Sequence, residues 1–68
     1  MNEDALNLSV RQFLKQFGIA AQREMEHAVQ RGIADGTLRG DETIPVRATL
    51  VVQGLVADFH VDGQITLT

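Results

Sequence analysis

The chain contains no cysteine, tryptophan or tyrosine, and only one proline among its 68 residues. Without cysteine there is no disulfide and no thiolate metal site, so two common ways of stapling a small domain are excluded. A chain of this length makes one domain, 1–68, and buries only about 60% of the surface it exposes when unfolded. Oligomerisation is the remaining route to added stability. Aromatics are scarce too: three phenylalanines are the whole set, which leaves Leu, Ile, Val and Ala to build any core. No apolar run approaches the length of a signal-peptide core or a bilayer span, and the opening residues Met1-Asn2-Glu3-Asp4 are acidic rather than basic. A soluble, cytoplasmic protein without a membrane partner is expected. Basic charge is also in short supply, with six Lys and Arg against nine Asp and Glu for a net charge of −3. That balance opposes generic attraction to phosphate backbones or anionic lipid.

What the chain does contain is clearest in its C-terminal third. Val46, Ala48, Leu50 and Val52 alternate with Arg47, Thr49, Val51 and Gln53, the period of a strand with one buried face. The alternation resumes after Gly54 and again after Gly63, which predicts strands at about 46–53, 55–60 and 64–68 in a meander. A two-residue turn at Gln53-Gly54 sets Val52 opposite Leu55, Leu50 opposite Ala57, Ala48 opposite Phe59 and Val46 opposite Val61, with Arg47 facing His60 on the outer side. For the second turn, a three-residue loop Val61-Asp62-Gly63 with Gly63 left-handed keeps the faces in phase.

Upstream, Leu6, Val10, Phe13, Leu14 and Phe17 recur at spacings of three and four, as in an amphipathic helix. This predicts a helix at about 3–17, with Asn2 as N-cap and Gly18 as its left-handed terminator. Ser9 offers a competing start, which would leave residues 2–8 frayed. Ala21, Met25, Ala28, Val29 and Ile33 predict a second helix at about 21–34, ended by Asp35-Gly36. Its start lacks a capping residue, and Gly32 marks a flat spot for close approach. The expected fold is α+β in the order ααβββ, an αα-hairpin packed on one face of a three-stranded antiparallel meander.

Chemistry-bearing residues are few. His27 stands between Arg23 and Arg31 with no second His or Cys at ligand spacing, so a solvated helix face is the better reading. His60 and Asp58 share a strand face, and a His-Asp pair orients a general base in some enzymes. An open sheet face offers no pocket, nucleophile or water exclusion, so an ion-pair row is expected instead. Asp35, Asp41 and Glu42 do not have calcium-loop spacing, and Arg39-Gly40-Asp41 is too short a match to carry meaning. No catalytic residue, cofactor, metal or small-molecule ligand is predicted.

The stretches Phe13-Leu14-Lys15-Gln16-Phe17-Gly18, Gln22-Arg23-Glu24 and, above all, Gly40-Asp41-Glu42-Thr43-Ile44-Pro45-Val46-Arg47-Ala48-Thr49-Leu50 resemble a family of small bacterial proteins classed as a domain of unknown function. The resemblance covers nearly the whole chain. It implies a free-standing small bacterial protein and brings no activity, cofactor or site residue with it.

The expected function is therefore a small non-catalytic interaction or regulatory module, acting as a homodimer or on a protein partner. Its candidate surface is Leu8, Arg47, Val51, Val56, Asp58 and His60, where a sheet edge and an apolar corner would be free. The alternative is a weak nucleic-acid binder using Arg11, Lys15, Arg23 and Arg31, disfavoured by the charge balance and by the acids Glu24, Glu26 and Asp35 beside them.

Overall fold

The computed structural model describes residues 1–68. It contains one helix, α1 (Glu3–Ala34), and two strands, β1 (Thr43–Val52) and β2 (Val56–Thr66). The chain divides into two compact units, Met1–Thr37 and Leu38–Thr68. Each is taken by itself.

The first unit corrects the expected helix pair: α1 runs unbroken for 32 residues through Gly18. A glycine inside a helix costs about 1 kcal/mol relative to alanine, whereas a break there would expose the backbone groups of two new helix ends. Ala20 to Met25 supplies good helix formers with no capping residue among them. The missing cap at Ala20-Ala21 thus signals a helix interior. Phase agrees, because Val10, Leu14, Phe17, Ala21, Met25, Ala28 and Gly32 keep spacings of three and four straight across Gly18. The predicted ends hold. Asn2 Oδ1 accepts from the Ala5 amide at 3.1 Å, Glu3 and Asp4 occupy the positive end of the dipole, and residues from Glu3 onward are helical rather than frayed. At the other end the Asp35 amide donates to the Arg31 carbonyl at 2.9 Å, followed by Gly36 at φ 83°, a left-handed terminator.

The second unit corrects the expected meander. There are two antiparallel strands, not three, because β2 passes straight through Asp62-Gly63 and β1 begins at Thr43 to meet it. Gly63 is not left-handed; the positive-φ glycines are Gly36, Gly40 and Gly54. Extension brings Arg47 opposite Asp62, Val46 opposite Gly63, Pro45 opposite Gln64 and Ile44 opposite Ile65. A turn at Asp62-Gly63 would forgo those pairs. Pro45 is tolerated inside β1 because each strand of a two-stranded sheet is an edge.

Register also differs from expectation. Leu50 pairs with Phe59 and Ala48 with Val61, and the register shifts between Leu50 and Val52 so that Val52 meets Val56. Ala57 and Asp58 together therefore stand opposite Val51, as in a β-bulge. The connection is the three residues Gln53 to Leu55, with the Leu55 amide donating to the Val52 carbonyl at 2.9 Å and Gly54 at φ 78°. A positive φ at that third position of the turn is what a type II turn requires, and it selects glycine.

Neither unit by itself buries a side chain. The nearest approach to a core in the second unit is the open end of the hairpin, where Leu38, Ile44, Val46, Ile65 and Leu67 are half-buried.

Candidate functional site

The pairing gives the hairpin two unlike faces. On one, Ile44 and Ile65, Ala48 and Val61, Leu50 and Phe59, and Val52 and Val56 stand as cross-strand pairs. Direct partners in an antiparallel ladder project to the same side, so this face is apolar over nearly its whole length. Phe59 is 54% exposed and Val61 59%. On the other face lie Thr43 with Thr66, Arg47 with Asp62, and Thr49 with His60.

Arg47 and Asp62 form a two-pronged ion pair, Nε to Oδ1 at 2.6 Å and Nη2 to Oδ2 at 3.1 Å. The Asp62 carboxylate raises the guanidinium above its ordinary pKa against a smaller opposing effect of desolvation. Both side chains remain mostly in water, so the pair aligns the strands more than it stabilises them. Arg47 thus faces Asp62, not His60. His60 Nδ1 lies 3.7 Å from Asp58 Oδ1, beyond hydrogen-bond distance, on an open strand face. No group of three or more His, Asp or Glu side chains gathers where it would hold a metal ion.

The loop ahead of β1 is tied by Glu42. Its carboxylate accepts from the backbone amides of Arg39 at 2.8 Å, Gly40 at 2.9 Å and Asp41 at 3.2 Å. The amides of Arg39 and Gly40 hold the Glu42 carboxyl below its ordinary pKa, opposed by desolvation. This converging set of donors is the kind of concavity that binds anions, and Glu42 fills it. Asp35 similarly accepts from the Thr37 amide at 2.9 Å, and the Thr37 side chain and amide lower its pKa.

The candidate surface is redistributed. Leu8 lies on α1 and is 57% exposed. Val51 and Val56, expected to form one apolar corner, part company: Val51 sits at the bulge, 67% exposed, while Val56 pairs with Val52 and is half-buried. Arg47, Asp58 and His60 are on the polar face. The sequence reading assigned Leu50, Phe59 and Val61 to a core and so missed the larger feature, the apolar face itself. The same holds for α1, where Phe13, Leu14 and Phe17 are about half exposed, with the rings of Phe13 and Phe17 stacked at 6.4 Å. The basic residues of α1 do not form a stripe: Lys15, Arg23 and Arg31 advance in steps of eight, rotating by about 80° each time around the helix. No helix is long and apolar enough to cross a membrane.

Comparison with known proteins yields one match. A family model described as a family of unknown function, DUF6494, covers residues 1–68. No curated protein matches, and no solved structure does.

Proposed function

The chain belongs to this family of unknown function, and because membership assigns no activity we propose, from its surfaces, a small non-catalytic interaction module that associates with itself. One observation supports the reading above the rest: neither unit by itself buries a side chain, although α1 carries a continuous apolar stripe and the hairpin an apolar face. Burying a large aliphatic or aromatic side chain is worth about 1.5–3 kcal/mol relative to leaving it in water. A lone two-stranded hairpin is marginally stable at best. Association with a second copy recovers part of that free energy and needs no further component. The non-catalytic part of the reading rests on the open setting of Asp58 and His60. Nucleic acid is the weaker alternative, given a net charge of −3 and basic residues that wind around α1. A reducing cytoplasm suits a chain without cysteine.

Sedimentation equilibrium at micromolar concentration tests this. The expected mass is at least twice the 7.5 kDa of the chain, and the substitution Phe17→Asp, which puts a charge on the stripe of α1, returns it toward the monomer. A clean monomer at tens of micromolar overturns the reading.

A further inference from the structure

We infer that the free edge of β2 pairs antiparallel with the same edge of a second copy, about a two-fold axis at Val61. This rests on the self-association reading and locates the hairpin's part in it. The starting point is which backbone groups of β2 are unused. The Leu67 amide donates to the Glu42 carbonyl at 3.2 Å, one step beyond the pair Thr43 and Thr66. Bonded and non-bonded pairs alternate along an antiparallel ladder, so Ile44 with Ile65, Val46 with Gly63, Ala48 with Val61 and Leu50 with Phe59 are the bonded ones. Pro45, which has no N–H to give, falls in the non-bonded set with Gln64. Residues of that set turn their N–H and C=O groups away from the partner strand. On β2 these are His60, Asp62 and Gln64, a complete edge. On β1 the matching row is Pro45, Arg47 and Thr49, and Pro45 breaks it. The two edges are therefore unequal: β1 is blunted in the way natural sheets avoid further pairing, and β2 is not.

A second copy of β2 is its own complement on this edge. Pairing about Val61 sets Val61 against Val61, His60 against Asp62 and Phe59 against Gly63, with Asp58, at the bulge, opposite Gln64. Odd residues meet odd and even meet even, so the apolar faces of both hairpins lie on one side of the joined sheet. His60 and Asp62 can exchange backbone hydrogen bonds, and on the polar face the Asp62 carboxylate lies between its own Arg47 and the second copy's His60, an imidazole N–H donor. Phe59 gains the open space above Gly63, where nothing stands within 4 Å of an added Cβ. Other registers lose these matches. A slide of two residues sets His60 on His60 in one direction or Asp62 on Asp62 in the other, and a slide of four can leave Gly63 facing Gly63 with no side chain between. The result is a closed four-stranded sheet with the two β1 strands outermost, where Pro45 discourages growth. It also lifts the hairpin above the two strands that are marginal in water.

The test uses the full chain in two ways. In the unaltered protein, at a concentration where it sediments as a dimer, amide hydrogen exchange should be slower at His60 and Asp62 than at Arg47 and Thr49 by about tenfold or more. All these amides point out from the hairpin, and only those of β2 gain a partner strand. The lack of cysteine then permits single thiols to read the register. Opposite residues of a non-bonded pair have Cα atoms about 4.5 Å apart, within disulfide reach. Val61→Cys should link to itself under mild oxidation, and so should an equimolar mixture of Phe59→Cys with Gly63→Cys. Either of the latter alone should not, because its two copies are offset by about 13 Å along the strands. Fast exchange at His60 and Asp62 in a particle that sediments as a dimer would place the contact elsewhere, overturning this inference while leaving self-association intact. Self-linking by Phe59→Cys or Gly63→Cys in place of Val61→Cys would overturn the pairing about Val61. A monomer by sedimentation would remove both readings.

Discussion

Glu42 shows how one carboxylate can organise a loop and how a charge can serve structure without serving chemistry. Three successive backbone amides, from Arg39 to Asp41, converge on it, and they prefer the ionised form. Its pKa is lowered in the folded chain, so the stabilisation is fully present above the ordinary glutamate value and is lost as pH falls through the depressed folded value. The amide resonances of Arg39 and Gly40 should hold their positions as pH falls through the ordinary glutamate range and move only below it. In Glu42→Gln that acid-dependent movement should be absent, and the loop signals should already differ at neutral pH. A wild-type transition above the ordinary carboxylate range would contradict the sign. Nothing in the spacing of Asp41 and Glu42 announced this role, because the donors are backbone groups that converge only once Gly40 adopts φ 109°.

Turn chemistry, at the scale of elements, separates what the sequence could resolve from what it could not. Alternation put the even-numbered residues of β1 and the odd-numbered residues of most of β2 on one apolar face, and they are there. Register was another matter. Sliding one strand by two residues keeps every side chain on its own face, so pairing Leu50 with Ala57 or with Phe59 satisfies the pattern equally. The bulge at Ala57-Asp58 then admits a three-residue turn where the pattern suggested a two-residue one. Gly54 and Gly63 make the distinction measurable. Gly54 sits at φ 78°, where an L side chain is strained by about 1–2 kcal/mol, so Gly54→Ala should weaken the hairpin by about that much. Gly63 is extended, opposite Val46, with nothing within 4 Å of an added Cβ. Gly63→Val should add a cross-strand contact worth about 0.2–1 kcal/mol, seen as sharper hairpin amide signals and a higher melting temperature. Had Gly63 been the left-handed residue of a turn, Gly63→Val would weaken the hairpin as Gly54→Ala does. In α1, Gly18 also has open space around it, and Gly18→Ala should raise thermal stability by about 0.5–1 kcal/mol. A helix broken at that glycine would instead be destabilised by the same change.

For the whole molecule, composition and length already implied a thin core, and neither unit buries a side chain. What composition could not reveal was which surfaces stay open, since the apolar residues that mark a core in sequence are the same ones that mark an unpartnered face. Unfolding in urea at two protein concentrations asks whether they do: association stabilises the folded form by mass action, so the midpoint should rise with concentration, and a midpoint independent of concentration would mean that the folded chain stands alone.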